Sequence, residues 1–303
     1  MFDFIKKIFG KAEEKKAEPA QAVSPQTAPL SDDQLEVVTL SHVECYPPQL
    51  LVGSAQSVGK QRDHNEDTLL TFQSILADGD SGVPFGLFMV ADGMGGHMHG
   101  EIASGSAARA LSEFLIKRLY SSLMGLDPEP QNESLQEIME MAVREAQQAV
   151  LKRAPGGGTT LTAAMVIGEQ VTIAHVGDSR AYFIYPDGRM QTMTLDHSLV
   201  RRLVDLGQLT DEQAHTYPQK NVLYRALGQA EPFRPDIHTH LMPHPGYILI
   251  CSDGLWGCVP DTEMFNIITS APNPSIACSR LVDAANAAGG PDNISAVIVQ
   301  YLG

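Results

Sequence analysis

The chain has 303 residues, room for one large domain or two small ones, and its 43% hydrophobic content is ample for a sizeable core. Thirty-six acidic residues against 21 basic ones leave a formal charge of −15, which argues against a nucleic-acid partner because no surplus of cations exists to displace the counterions of a phosphate backbone. No apolar run reaches the roughly 18 residues of a membrane-spanning helix, so none is expected.

Residues 1–47 read as a tail. Phe2, Phe4, Ile5, Ile8 and Phe9 lie among Lys6, Lys7 and Lys11, an apolar helical face beside a basic one. The segment is too short for a signal peptide and lacks a small-residue cleavage site. It is either a weak peripheral anchor on a membrane, a docking peptide for a protein partner, or a frayed start that binds nothing, since short helices are marginal in water. From Ala12 to Ser31 the chain is Ala, Glu, Lys, Pro, Gln and Ser with few large apolar residues, the composition of a tether.

Residues 48–303 read as one folded domain. Leu50 to Ser57 and Asp67 to Phe72 are expected strands around a charged connection, and the apolar run Phe85 to Ala91 is a third. Ile102, Ala103, Ala107, Leu111, Phe114, Leu115 and Leu119 recur at helical spacing, as do Leu135, Ile138, Met139, Ala142, Ala146 and Val150. After Gly156-Gly157-Gly158 a β run covers Thr159 to Ile167, Val171 to Val176 and Arg180 to Ile184, closed by the turn Pro186-Asp187-Gly188. Ser198 to Leu206 and Thr210 to His215 are short helices of a surface flap that reaches to Gly228. Strands return at Ile237 to Met242, Tyr247 to Cys251 and Ile294 to Tyr301, with helices at Thr262 to Ile268 and Ile276 to Ala285. Strands grouped before and after helices argue for an α+β fold of antiparallel sheets covered by helices. Cys45, Cys251, Cys258 and Cys278 form no CxxC pair and no zinc spacing, and are expected to be reduced core thiols of a cytoplasmic protein.

The chemistry gathers at strand ends. Asp92-Gly93 closes the strand Phe85 to Ala91. Alone, such an Asp more often caps the next helix than binds an ion, but the pattern recurs: Glu66-Asp67, Gly177-Asp178, Ser252-Asp253-Gly254 and Gly290-Pro291-Asp292-Asn293 all sit where an apolar strand begins or ends. Asn or Ser would serve a turn without mutual repulsion, so repeated carboxylates point to a bound cation. An all-oxygen set suits Mg²⁺ or Mn²⁺, and the ten histidines show no ligand spacing for zinc or copper near these acids. His97 and His99 are nearest, as ligands or as ordinary loop histidines. Two such ions about 3.5 to 4 Å apart can generate hydroxide at neutral pH and clamp a phosphoryl group for in-line attack. Arg62 is the best-placed phosphate-binding cation, unless it only pairs with the acids.

The series Gly59-Lys60-Gln61-Arg62-Asp63-His64-Asn65-Glu66-Asp67, Val90-Ala91-Asp92-Gly93-Met94-Gly95-Gly96-His97, Gly158-Thr159-Thr160-Leu161-Thr162-Ala163, His175-Val176-Gly177-Asp178-Ser179-Arg180-Ala181-Tyr182, Asp196-His197-Ser198, Cys251-Ser252-Asp253-Gly254-Leu255-Trp256 and Asp292-Asn293 resembles the PP2C (PPM) family of metal-dependent serine/threonine protein phosphatases in its bacterial form, over about residues 50 to 302. The resemblance implies two packed antiparallel β-sheets flanked by helices on both outer sides. By position Asp92 would bridge two Mn²⁺ or Mg²⁺ ions, with Glu66 and the Gly93 carbonyl completing one and Asp253 and Asp292 the other. Asp178 would bind a weaker third ion, Asp67 a metal-bound water, and Arg62 the substrate phosphate, with a bridging hydroxide as nucleophile. The segment Ser198 to Gly228 would be the family's variable flap. One departure stands out. Some members carry a histidine acid directly after the Asp-Gly, whereas Met94 here cannot donate a proton, which leaves water on the third ion or His97.

The expected function is hydrolysis of phosphoserine and phosphothreonine in proteins. The alternatives are a non-catalytic binding module of the same fold, which the intact acids disfavour, and a different metal-dependent phosphoesterase. The resemblance implies phosphoproteins and a Ser/Thr kinase as partners and a monomeric catalytic domain.

Overall fold

The computed structural model describes residues 47–78, 81–95, 98–123, 133–229 and 233–303. Nearly all of the expected tail, together with Cys45 and His97, lies outside them.

Twelve strands form among these residues: β1 (Gln49–Ser57), β2 (Thr68–Asp78), β3 (Ser81–Ala91), β4 (Gly93–Met94), β5 (Gly158–Thr159), β6 (Leu161–Ile167), β7 (Gln170–Val176), β8 (Arg180–Ile184), β9 (Met190–Thr192), β10 (Asp236–Leu241), β11 (Tyr247–Cys251) and β12 (Ile294–Leu302). They build two five-stranded sheets, ordered β1-β12-β11-β8-β9 and β10-β7-β6-β3-β2, with β4 and β5 as a separate pair. Every pairing is antiparallel.

The central strands explain why the sequence shows unbroken apolar runs. Along β3, Phe88 and Val90 enter the core between the sheets, while Leu87, Met89 and Ala91 enter the core beneath helices. Ile248 and Ile250 of β11 likewise face the other sheet, and Leu249 and Cys251 face the opposite helical layer. Both faces of such a strand are dry, so the polar half of the usual alternation is missing.

Helix α1 (Met98–Leu115) continues through a π turn (Ile116–Tyr120) into α2 (Ser121–Leu123), and α3 (Leu135–Arg153) packs beside it. Their stripes, Ala103, Ala107, Leu111 and Leu115 with Ile138, Met139, Ala142 and Val150, cover the β3 sheet. A capping box starts α3: Ser134 accepts from the Glu137 N–H and Glu137 accepts from the Ser134 N–H. Two short helices, α4 (Leu199–Asp205) and α5 (Asp211–Thr216), belong to the flap and start on the caps Ser198 and Thr210. The other sheet is covered by α6 (Asp253–Trp256), α7 (Asp261–Ser270) and α8 (Pro274–Ala287). The order helix, sheet, sheet, helix is the architecture expected from the sequence.

Several elements depart from that reading, and β2 and β3 run past their expected ends, on to Asp78 and back to Ser81. The strands β4, β5 and β9 and the single turn α6 are each too short to show a period. Within the flap no residue of α4 is buried, as expected, but its exit is anchored: Ala226 and Leu227 are buried, and Leu227 bridges Thr159. Cys251 and Cys278 are buried free thiols; Cys258 is only half-buried and so is not a core thiol.

Candidate metal centre

Antiparallel register brings the acids to one end of the sandwich. Thr68 pairs with Ala91, so the residues before β2 lie beside those after β3. Cys251 pairs with Ala296, which sets the end of β11 by the start of β12, and Val176 pairs with Leu161 at the end of β7. Glu66, Asp92, Gly93, Asp178, Asp253 and Asp292 consequently line one cleft of about 460 Å³, with Arg62, His64 and Met94 on its walls. Asp67 lies behind it, buried.

Each acid is held by neighbours distant in sequence. Thr160 clamps the Asp92 backbone, its hydroxyl accepting from the Asp92 N–H at 2.9 Å and its own N–H donating to the Asp92 carbonyl at 2.9 Å. Asn293 accepts from the Glu66 N–H at 2.8 Å and donates from Nδ2 to the Val58 and His64 carbonyls, both at 2.9 Å. Ser252 and Ser295 donate to Asp67 Oδ2 at 2.8 and 2.7 Å. Gly93 is required where it stands: a Cβ there would strike the Gly100 carbonyl and come within 2.6 Å of the Glu66 carbonyl. Gly177 adopts φ +110°, a conformation open to glycine, and so turns Asp178 into the cleft.

The electrostatics show what such an arrangement needs. Burial, then repulsion by Asp67 and Asp253, raises Asp92 well above the ordinary carboxylate range, and burial with Asp253 does the same to Asp178. Burial lifts Asp253 to about 6 and Asp67 to about 7, the latter against the two serine hydrogen bonds. Among the described residues, Asp67 Oδ1 and Asp253 Oδ1 are buried with no hydrogen-bond partner. Neutralising such groups is the work of a hard cation, and the donors are oxygens throughout, so the residues fit Mn²⁺ or Mg²⁺. Among the described residues no three acid, histidine or cysteine side chains yet converge as a finished shell. Arg62 Nη2 holds Asp292 Oδ2 at 2.7 Å and His64 Nε2 meets Glu66 Oε1 at 3.0 Å, so ligation calls for side-chain rotation.

Sequence reasoning singled out the acids and Arg62 but assigned no task to Asn293, Thr160, Ser252 or Ser295. The first three lie inside motif blocks quoted above, and that position was the available signal. A further set fixes Trp256: Arg180 stacks on its ring at 3.5 Å, and its Nε1–H donates to the Asp178 carbonyl at 3.0 Å. Arg180 is itself gripped by both oxygens of Asp196, at 2.9 and 2.7 Å.

Comparison with known proteins covers the part of the chain that carries this cleft. The family profile "Protein phosphatase 2C" matches residues 52–294. The serine/threonine phosphatase stp of Listeria welshimeri is 36% identical over 245 residues, covering 80% of this chain and 92% of that protein. The crystal structure of the Mycobacterium tuberculosis serine/threonine phosphatase PstP is 32% identical with a TM-score of 0.66, covering 83% of this chain and 98% of that one. A structure of the PstP catalytic domain in complex with two manganese ions is 30% identical with a TM-score of 0.66, covering 84% and 100%. The chain belongs to the protein phosphatase 2C family, and the expectation of a metal-dependent phosphoprotein phosphatase stands.

Proposed function

We propose that Asp92, Glu66, the Gly93 carbonyl, Asp253 and Asp292 hold two divalent cations, Mn²⁺ or Mg²⁺, that Asp178 holds a weaker third, and that the chain hydrolyses phosphoserine and phosphothreonine in proteins. The observation that carries the reading is the convergence of five carboxylates and one guanidinium on a single cleft, with buried carboxylate oxygens at Asp67 and Asp253 that lack a hydrogen bond among the described residues. Bound there, the ions supply activation of water at neutral pH and positive charge for the phosphoryl oxygens.

The chain's own residues do the rest. Arg62 engages Asp292 through Nη2 alone among the described residues, which leaves the other donors of its fork to grip a phosphate bidentately. Asp67, pinned through Oδ2, keeps Oδ1 as an acceptor to orient a water. Met94 lines the cleft without a proton to give, so the leaving alkoxide takes its proton from another group. The flap over residues 198–228 borders the cleft through Asn221 and Leu223 and is suited to choosing among substrates.

Phosphorylated proteins are the substrates of this family, and a Ser/Thr kinase whose products the enzyme reverses is the partner that fits. Residues 1–47 would serve as the tail and 48–303 as the catalytic domain, acting as a monomer in the cytoplasm; no helix among the described residues is long and apolar enough to cross a membrane. The test is release of phosphate from a phosphothreonine peptide. Release that needs Mn²⁺ or Mg²⁺ and falls by about 10³-fold in Asp253→Asn is expected. Release that survives chelation, or that Asp253→Asn leaves intact, rejects the assignment.

A further inference from the structure

We infer that a second cleft, of about 380 Å³ between α4 of the flap and the Trp256–Cys258 segment, is a subsite for an apolar side chain of the phosphoprotein substrate, close in sequence to the residue hydrolysed. The inference rests on the phosphatase reading above and names part of its substrate.

One wall is supplied by α4. Val200 and Val204 are one turn apart and share a face of that helix, yet no residue of α4 is buried in a core; both line this cleft, joined by Ala214 of α5. Their apolar surface is left half-covered, and a side chain seated against it would be stabilised in proportion to the area removed from water. The facing wall is rigid. Trp256 is clamped between the Arg180 guanidinium and the Asp178 carbonyl, and Asp196 fixes Arg180 in turn, so ordering this surface on binding costs little.

The position of the cleft selects its occupant. It opens directly into the metal cleft, because Arg62, Asn221 and Asp292 border both. A peptide whose phosphate lies on Arg62 must send its neighbouring residues past these walls. The cations of the lining, Arg62, Arg180, Arg201 and Lys220, are matched in number by Asp178, Asp196, Asp253 and Asp292, so the cleft offers no surplus charge to repay the desolvation of a Lys or Arg side chain. The combination takes Leu, Met or Phe in preference to Lys or Arg.

The test uses the full chain with Mn²⁺ and phosphothreonine peptides in which Leu, Ala or Lys is placed at each position within about four residues of the phosphothreonine, a reach of roughly 13 Å. At one position Leu is expected to exceed Ala in kcat/KM by about tenfold, with Lys lower still. Val204→Glu and Ala214→Phe are each expected to erase that gap while p-nitrophenyl phosphate turnover, which also reports an intact fold, stays within about twofold. Trp256 is the only tryptophan of the chain, so its emission reports the site without turnover: a non-hydrolysable phosphonate peptide should shift it to the blue with Leu and not with Ala. Brisk hydrolysis with no Leu–Ala gap at any position, a gap that survives both variants, or an emission that Leu leaves unmoved overturns the subsite alone. Absence of hydrolysis of every peptide and of p-nitrophenyl phosphate overturns the phosphatase reading and the subsite with it.

Discussion

Every residue of β3 from Phe85 to Ala91 is buried, whereas none of the seven residues of α4 is. Both segments are rich in apolar residues, and the difference lies in what covers them. The strand is packed on two sides, so Asp92 at its end inherits a position set by the whole core. The helix carries its valines on the surface of a cleft, where they are free to meet another molecule. Carboxylates that must share ions need placement to a fraction of an ångström, which a close-packed core supplies; a wall that meets varied peptides needs only to be apolar and reachable.

The comparison can be broken by stability measurements. Phe88 lies between the sheets, fully buried, and Phe88→Ala should cost about 3–5 kcal/mol in urea unfolding. Val204→Ala should stay within about 0.5 kcal/mol. Similar costs at the two sites would show that the flap is part of the core after all. A smaller effect is expected from the polar staple between the two regions. Asn293→Ala removes the side chain that links Val58, His64 and Glu66 and leaves the buried Glu66 N–H unpaired, so it should cost about 1–3 kcal/mol in unfolding and weaken Mn²⁺ binding by about 10–100-fold. Unchanged Mn²⁺ affinity would deny Asn293 its positioning role.

A last expected effect is a dependence on pH. Burial and the neighbouring His197 depress His175 from 6.5 to about 3, against the attraction of Asp236. The unfolded chain therefore takes up a proton that the folded chain refuses. The associated stability is present above pH 6.5 and is lost as pH falls toward 3. His175→Gln lacks this linkage, so its melting temperature relative to wild type should rise steadily between pH 6.5 and about 4. A difference that does not change with pH would remove His175 from the account.

Much of the scaffold was legible because its physics is local. Tyr247 to Cys251 and Ile294 to Tyr301 are apolar runs flanked by an acid, and both are strands within a residue of the expected bounds. The acids announced themselves by ending such runs. What could not be read was set by register across the sheets. Asn293 meets Glu66 over 227 positions, and Ser252 and Ser295 meet Asp67 over 185 and 228. No window of sequence contains such a pair. Arg62 carried two readings, ion-pair partner or phosphate ligand, and it both pairs with Asp292 and faces the cleft. β9 escaped because two of its three residues are exposed and leave no alternation.

The first and last strands of the domain pair along their full length, from Gln49 opposite Leu302 to Ser57 opposite Ile294. That pairing has a consequence for biosynthesis. Arg62 and Asp292, 230 residues apart, cannot meet until Asp292 has been made, and the loop-closure entropy of bringing them together is lost only at that stage. A nascent chain can assemble the β3 sheet with α1 and α3 while β12 is still untranslated. With β10 just made it has three of the five carboxylates proposed to hold ions in the cleft, Glu66, Asp92 and Asp178, and no complete cleft, so phosphatase activity begins only once Asp253, Asp292 and β12 have been made and have packed in place.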